Sequence, residues 1–270
     1  MKNSHKWIFC VLICSFVANP ILAGKWVNWG AIVEDIQDGI VAAVDFIVEK
    51  VSAKQAKIIA SGIATTKKVA LGMVDTIDVT GAGTLIVTQD DKQEGLLVIE
   101  TDQALMPYIE AEVVGKTLII KTRDNTSYNV EGLVYRVSVK DLKHLSLTGA
   151  VSGSLNSIKT ESLLLDLTGA SRLTGDLVVE NLVIKSFGAS RITLTGKATM
   201  QNLDVSGSSK VDGRNVIGKS AVVHVDGAST VYCNASGILS GHVSGVSSLY
   251  YANNPVVSVK SSGVSSVQKL

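Results

Sequence analysis

The chain is poor in cysteine, proline and aromatic residues, and it carries no excess charge of either sign. Its 270 residues include 3 Cys and 3 Pro, 5% are aromatic, and the formal net charge is +1. This balance gives no general attraction to nucleic acid or to an anionic membrane, so we expect no nucleic-acid partner. Cys10 and Cys14 lie in the first 23 residues. Once that segment is removed, Cys233 has no internal partner, and stability must come from a hydrophobic core.

Hydrophobic residues and glycine are what the chain has in quantity. Hydrophobic residues make up 46% of the sequence, and there are 24 Gly. A chain of this length can bury a sizeable core. Abundant Val, Ile, Leu, Ser and Thr with frequent glycine favours short strands joined by tight turns over a helical bundle. The composition therefore indicates an all-β protein.

The N-terminus has the order of a secretory signal peptide. Lys2, His5 and Lys6 precede the apolar run WIFCVLICSFVA, which is followed by NPILA and Gly24. This order of charged, apolar and small residues predicts a signal peptide over residues 1–23, cleaved after Ala23. The protein is then exported to the periplasm, the cell surface or the medium, with no transmembrane helix in the mature chain. An uncleaved membrane anchor is the alternative.

A repeat organises the second half of the chain. Its marker is the glycine of a Gly-Ala-Ser-like triplet, which recurs at intervals of 18 to 20 residues. The marker glycines are Gly149, Gly169, Gly188, Gly207, Gly227, Gly245 and Gly263. Apolar residues alternate on both sides of most of them, as Leu165, Leu167 and Leu173 do around Gly169. Alternation around a glycine indicates two strands that meet at a corner, because Gly adopts the positive φ that a sharp corner needs.

The repeat predicts a right-handed parallel β-helix with coils of about 19 residues, each stacked on the last at about 4.8 Å. A leucine-rich repeat has a different consensus, and a β-sandwich does not space its turns so evenly. The regular coils are expected over residues 142–270. Residues 67–141 carry the same pattern less regularly, with Pro107 expected at a loop or a strand entry.

Residues 24–66 differ from the rest. Apolar residues recur there at helical spacing among acidic side chains: Ile32, Ile36, Ile40, Val44, Ile47 and Val51. This spacing predicts an amphipathic helix. A second short helix is expected to start at the capping box of Ser52 and Gln55 and to stop at Gly62. We expect the segment to cap the open strand edge of the solenoid, with an oligomerisation or membrane-surface helix as the alternative.

One column of the repeat is basic. In a solenoid each repeat position becomes a column on the surface, and three residues after the marker glycine this column carries Arg172, Arg191 and Lys210 on consecutive coils. We call these three residues the basic column. Like charges at rung spacing repel by at most about 1 kcal/mol in water. A cluster tolerated at that cost is predicted to bind a polymer that bears carboxylates or phosphates, with an ordinary solvated face as the alternative.

Two further columns are interpreted as structural. Three residues before the marker lies a ladder of alternating charge, for which we expect cross-strand ion pairs of a few tenths of a kcal/mol each. We call it the charge ladder: Asp166, Lys185, Asp204 and His224. Two residues after the marker lies a serine column, expected to stack inside the corner and to satisfy its own donors and acceptors. Its members are Ser171, Ser190, Ser209, Ser229, Ser247 and Ser265.

No catalytic site is predicted. Lys185 lies between Asp166 and Asp204 and would hold both carboxylates ionised, so neither suits a general acid. His224 and His242 fall on adjacent coils, and a metal pair there would need a third ligand that the sequence does not show. The sequence contains no nucleophile elbow or zinc helix motif. We expect no cofactor, no metal and no enzymatic activity.

A resemblance to a known family is carried by the run VDTIDVTGAGTLIVTQDDKQEGLLVIETDQALMPYIEAEVVGKTLIIKT. This run resembles the opening of the bacterial head GIN domain family of autotransporter adhesin heads. The later runs LSLTGAVS, LDLTGAS and LDVSGSS are similar to the recurrent coils of that family. The resemblance covers about residues 67–270. It implies an exported β-helical protein of bacterial surfaces, for which adhesion has been proposed.

These observations lead to three hypotheses of function. The first is an exported, non-enzymatic, adhesin-like binding module that binds an anionic glycan or another cell-surface component through the basic column. The second is a structural protein of the cell envelope that self-assembles as a homo-oligomer through residues 31–51 or the C-terminal end of the solenoid. The third is a polysaccharide-active enzyme, which would need a carboxylate cluster.

Overall fold

Alternating apolar residues and regularly spaced glycines fold into a stack of β-coils. The computed structural model describes residues 56–90, 95–123, 126–128 and 132–270. The strands are, in chain order, β1 (Ala56–Ile58), β2 (Ala64–Gly72), β3 (Thr76–Gln89), β4 (Gly95–Asp102), β5 (Ile109–Val114), β6 (Thr117–Thr122), β7 (Thr126–Tyr128), β8 (Val134–Val139), β9 (His144–Gly169), β10 (Arg172–Gly188), β11 (Arg191–Val205), β12 (Lys210–Val225), β13 (Thr230–Val243), β14 (Ser248–Ala252), β15 (Val256–Ser261) and β16 (Ser266–Lys269). A 3-10 turn at Met106–Tyr108 contains Pro107 directly before β5, where a missing N–H costs no ladder hydrogen bond.

The regular coils form a parallel ladder from β9 to β13. Each strand pairs in parallel with the next one along the chain. The strands are long because they turn corners without leaving the ladder; β9 covers 26 residues and contains Gly149 at φ 104°. Both β14 and β15 pair with β13, and β16 pairs with β14. The predicted all-β solenoid with coils of about 19 residues is confirmed.

The marker glycines form a seam along one corner of the solenoid. Gly81 extends the predicted series by pairing with Gly149, and Gly169 pairs with Gly188. Their φ angles are all positive, from 72° at Gly245 to 130° at Gly81. A Cβ on Gly169 would lie 2.7 Å from the carbonyl oxygen of Gly149, and one on Gly188 would lie 2.7 Å from that of Gly169. Backbone conformation and close stacking therefore both require glycine here.

The serine column lies just inside this seam. Its first five members are at most 2% exposed. Each of these five hydroxyls donates to the carbonyl oxygen of the marker glycine one coil earlier, as Ser171 does to Gly149 at 3.2 Å. The same oxygen accepts the backbone N–H of Ala170 at 2.8 Å. The hydroxyls thus donate to the backbone of the preceding coil. Within the column, the hydroxyls of Ser229 and Ser247 also accept the N–H groups of Ser209 and Ser229, at 3.3 Å each.

Inward side chains of successive coils stack into apolar columns that form the core. In one column Leu173, Ile192 and Val211 follow each other in register, each at most 1% exposed. A second column runs from Leu167 through Ser186 to Val205. Ser186 interrupts it as a fully buried polar residue, and its Oγ has no hydrogen-bond partner among the described residues. Apart from Ser186, the inward residues named in these two columns are apolar on successive coils.

Cys233 belongs to this core. Its side chain is fully buried, and burial raises the pKa of the thiol to about 12. A thiol with such a pKa carries almost no thiolate at neutral pH and is a poor nucleophile. Cys233 therefore acts as a small hydrophobic residue.

Strands β2 to β8 depart from the regular coils. β3 pairs in parallel with β6, β8 and β9, but the pairs β2–β4, β4–β8 and β5–β6 are antiparallel. Gly115, at φ 63°, lies in the short connection between β5 and β6. Antiparallel strands need only such a hairpin, whereas a parallel rung requires the chain to travel round a whole coil. The hairpin of β5 and β6 therefore replaces a coil at this point of the chain.

The predicted signal peptide, and the predicted cap helix up to residue 55, lie outside the described residues. From residue 56 onwards the helical prediction for residues 24–66 is wrong. Residues 56–58 form β1, which pairs in parallel with β7, and β2 begins at Ala64. The short helix expected to end at Gly62 is therefore absent from the described residues, because strand pairing outweighs a weak local helix signal.

Asp102, at the end of β4, fixes the turn that leads into β2. Its Oδ1 accepts hydrogen bonds from the Ser61 N–H at 3.0 Å and the Ala104 N–H at 2.8 Å, and its Oδ2 accepts one from the Gly62 N–H at 2.8 Å. Donors aimed at a carboxylate favour its charged form. These hydrogen bonds, led by that of Ser61, lower the pKa of Asp102 to about 2.

Candidate functional site

The basic column lies on the outward face of three neighbouring strands. Arg172 of β10 is in register with Arg191 of β11, which is in register with Lys210 of β12. Each residue directly follows a buried serine of the corner, so strand alternation turns it outward. Both arginines are exposed and Lys210 is half-buried. The structure thus places the three predicted residues side by side on adjacent rungs.

Lys210 makes a contact that the two arginines lack. Its Nζ lies 5.4 Å from the centroid of the Tyr232 ring, and the Cζ of Arg214 lies 4.1 Å from the same centroid. The Tyr232 ring stacks on Tyr250, with centroids 4.9 Å apart and planes inclined by 14°. Both cations come from β12 and Tyr250 comes from β14, on opposite sides of Tyr232 in the ladder. The two cations are therefore attracted to the ring of Tyr232, while Tyr250 covers its other side.

We call this surface the Arg–Tyr face and define it by Arg172, Arg191, Lys210, Arg214, Tyr232 and Tyr250. Sequence reasoning missed its aromatic half. Tyr232 and Tyr250 each stand five residues after a marker glycine, so reading that column of the repeat would have found them. Nothing in the repeat marks Arg214, because it lies where the coil is irregular.

An irregularity of β12 carries Arg214. The register between β12 and β13 breaks between Asp212 and Gly218. Beneath this break Gln201 is buried, and its Nε2 donates to the carbonyl oxygens of Val216 and Asn234 at 3.1 Å each. Arg214 Nε donates to Asp212 Oδ1 at 2.8 Å, and this hydrogen bond raises the pKa of the guanidinium. Arg214 is thus held against Tyr232 and paired with Asp212.

Two carboxylates of the same outward face, those of Asp212 and Asp176, already have hydrogen-bond partners. Asp212 is bound by Arg214, and Asp176 Oδ1 accepts a hydrogen bond from the Thr195 hydroxyl at 3.0 Å. Within the part of the chain that the structure describes, no carboxylate oxygen lies within 4.0 Å of a nitrogen of Arg172 or Arg191. The two arginines therefore present uncompensated positive charge to solvent.

The charge ladder lies on the other side of the glycine seam and does not join the Arg–Tyr face. Its residues are in register: Asp166 beside Lys185, Lys185 beside Asp204, and Asp204 beside His224. The expected ion pairs are not formed, since no side-chain nitrogen among these four described residues lies within 4.0 Å of a carboxylate oxygen of another. Long side chains on a solvated face lose entropy when they pair and gain little attraction in water. The charge ladder thus places opposite charges on neighbouring rungs without direct ion pairs between their side chains.

His224 and His242 are neighbours in register, as the repeat indicates. His242 Nε2 lies 3.3 Å from the Ser262 hydroxyl. Asp226, nearby, has its pKa lowered mainly by the N–H of Gly227 and the Ser244 hydroxyl. No group of three or more His, Cys, Asp or Glu in the described ranges is placed to hold a metal ion. Among the described residues, the histidine pair therefore has a hydrogen-bond partner but lacks the third ligand that a metal site would need.

Membership of a protein family is shown by a match over most of the chain. The family described as "Putative auto-transporter adhesin, head GIN domain" matches residues 73–255. This chain belongs to the head GIN domain family. The match spans β3 to β14 and includes the whole Arg–Tyr face. Membership indicates an adhesin-like protein of the cell surface or an exported one.

Solved structures show the same head GIN fold. A protein of Bacteroides fragilis described as a putative adhesin is 19% identical, with a TM-score of 0.73 over 78% of this chain and 99% of its own. A Parabacteroides distasonis protein described as a putative lipid binding protein is 19% identical, with a TM-score of 0.66 over 79% and 99% of the two chains. A putative adhesin of Parabacteroides merdae is 16% identical, with a TM-score of 0.59 over 80% and 99%. At these identities the likeness establishes the fold.

No curated protein matches the chain. None of the described residues belongs to a helix long and apolar enough to cross a membrane.

Proposed function

We propose that the protein is an exported, non-enzymatic adhesin-like module that binds an anionic glycan, or another anionic polymer of a cell surface, on its Arg–Tyr face. One observation carries the proposal: Arg172 and Arg191 stand in register on adjacent rungs, exposed, with no carboxylate of the described residues in reach. Family membership and the adhesin descriptions of two neighbours support an adhesive role.

The shape of the face supports a polymer rather than a small molecule. The residues of the face span β10 to β14 and lie on the surface of a parallel ladder whose rungs are about 4.8 Å apart. Small ligands usually bind in concave pockets. An extended chain can instead lie across several rungs and meet a cation or an aromatic ring on each of them. Several weak contacts of this kind add up to useful affinity.

The test is binding of the purified protein to immobilised anionic and neutral glycans at two salt concentrations. The variant R172S/R191S/K210S removes the basic column. The control variant K185S/K219S/K260S removes the same number of positive charges from exposed lysines outside that column. We expect binding that weakens with salt, that is lost in the first variant and retained in the control. Equal losses in both variants would show that net charge, not this face, attracts the polymer.

Export is tested separately. The proposed signal peptide, residues 1–23, gives a definite expectation for the N-terminus of the secreted chain. The intact mass of protein recovered from the periplasm or the medium should correspond to a chain that begins at Gly24. A mass that includes residues 1–23 in the membrane fraction would instead establish the uncleaved anchor.

A further inference from the structure

The three residues of the basic column are not equivalent. Lys210 Nζ is drawn to the Tyr232 ring at 5.4 Å, and Arg214 is drawn to the same ring and to Asp212. A cation at an aromatic face is partly compensated by the ring quadrupole. Arg172 and Arg191 have neither a ring nor a carboxylate against them in the described part of the chain. They form a pair set apart from the rest of the face.

The outward residues that follow this pair on the same two strands carry hydroxyls, not carboxylates. The Asp212 carboxylate lies one rung beyond, in register with Thr193, and is bound by Arg214. Thr174 and Thr193 lie two residues further on the same strands, are exposed, and are in register with each other. Arg172, Thr174, Arg191 and Thr193 therefore form a square of two guanidiniums and two hydroxyls, about 4.8 Å along the ladder and about 7 Å along the strands. Such a square lacks any fixed negative charge.

Resting on the proposed function, we infer that Arg172 and Arg191 act together as one clamp for a single sulfate or phosphate monoester on the bound glycan. Their Cβ atoms are separated by about one rung, so the two guanidiniums reach a common anion without moving the backbone. Each guanidinium offers a planar fork of N–H donors. The clamp thus supplies two forks that approach one anion from adjacent rungs.

The shape of the anion decides which ligand suits two forks. A carboxylate has two oxygens in one plane, and one bidentate guanidinium uses the favoured edge of both. A tetrahedral ester group has three terminal oxygens pointing in different directions. Each of the two guanidinium forks can then bind two of these oxygens, with one of the three oxygens shared between the forks. The pair therefore favours sulfate or phosphate esters over carboxylates.

The experiment uses four dextrans of equal length: unmodified, sulfated, phosphorylated and carboxymethylated, the last three at equal charge density. The full chain is compared with R172Q, R191Q, R172Q/R191Q, R172K/R191K and K210Q, each checked for an unchanged unfolding transition. We expect both ester dextrans to bind about tenfold more tightly than carboxymethyl dextran. Comparing the affinities for sulfated and phosphorylated dextran then identifies which ester is preferred.

The variants separate a clamp from simple attraction. Because one anion needs both forks, either single glutamine should lose nearly as much affinity as the double variant. R172K/R191K keeps the charge but removes the forks, so it should bind all three anionic dextrans alike. K210Q should lose less than either arginine variant. Additive single losses, or equal binding of carboxymethyl and ester dextrans by the unmodified protein, would overturn the clamp while leaving the proposed function intact. No binding of any anionic dextran would overturn both.

Discussion

Ser186 provides the sharpest test of how the core of this solenoid is built. It occupies an inward position between Leu167 and Val205 on the neighbouring rungs, is fully buried, and has no hydrogen-bond partner for its Oγ among the described residues. A buried hydroxyl without a partner costs about 1–3 kcal/mol. Replacing it with an apolar group should therefore stabilise the protein, which is the opposite of what most core substitutions do.

Two substitutions divide the effect into parts. S186A removes the unpaired hydroxyl and should raise the free energy of unfolding by about 1 kcal/mol, since the small void it leaves offsets part of the gain. S186V also fills the position with methyl groups, each CH₂ equivalent contributing about 0.8 kcal/mol, and should raise it by about 2–3 kcal/mol. Val205 already occupies the equivalent position on the next rung, so a valine suits this column.

The matched control is Ser190, four residues away and also buried. Its hydroxyl does have a partner, the Gly169 carbonyl oxygen at 3.3 Å. S190A should therefore lower the free energy of unfolding by about 1 kcal/mol. The assay is urea denaturation followed by circular dichroism, with changes read at the midpoint at constant slope. The reasoning is refuted if S186A and S190A shift the midpoint in the same direction.

Three further predictions follow from buried and strained positions. Cys233, with its thiol pKa raised to about 12, should remain unlabelled by a thiol reagent at neutral pH and react only on unfolding; peptide mapping of the labelled native protein reports this, and native labelling would contradict the burial. G188A should lower the free energy of unfolding by about 3 kcal/mol or more, because residue 188 has a positive φ of 102° and the new Cβ would clash with the Gly169 carbonyl oxygen. G115A has open space around its Cβ and only the strain of a φ of 63°, so it should lower the free energy of unfolding by about 1–2 kcal/mol. Equal denaturation midpoints for the two variants would argue against close packing at the glycine seam. The carboxyl of Asp102 has its pKa lowered from 3.8 to about 2, so its contribution is present above about pH 4 and lost as pH falls through 2. The stability difference between the protein and D102N should therefore be large at neutral pH and shrink towards pH 2, and a difference that is constant with pH would show that the carboxylate charge is not what matters.

The regular coils could be predicted from the sequence because their constraint is local and repeats. Each corner needs glycine, each inward position needs an apolar side chain, and the period sets the register. Arg172, Arg191 and Lys210 therefore lie in register as the repeat indicated. The same reasoning could have located Tyr232 and Tyr250, since their column is as regular as the basic one.

Features that depend on side-chain direction or on distant pairing could not be predicted. The repeat puts Asp166 and Lys185 side by side, but whether their charges meet depends on rotamers that water leaves free. Lys210 looks equivalent to Arg191 in the repeat, yet Tyr232 on the next rung captures it. Residues 56–58 join β7, some 70 residues later in the chain, a partner that local helix signals do not reveal.

The glycine seam has a consequence for how this protein changes over generations. From Gly149 to Gly227, each marker carbonyl receives the same two donors from the coil that follows, a backbone N–H and a serine hydroxyl. At this corner, these five junctions between coils are therefore chemically alike. Duplication or deletion of one unit would join two compatible ends at the corner, so the molecule can lengthen or shorten by a whole coil without a new kind of corner. Outward residues within a unit vary independently of those junctions, and reach and recognition can evolve separately.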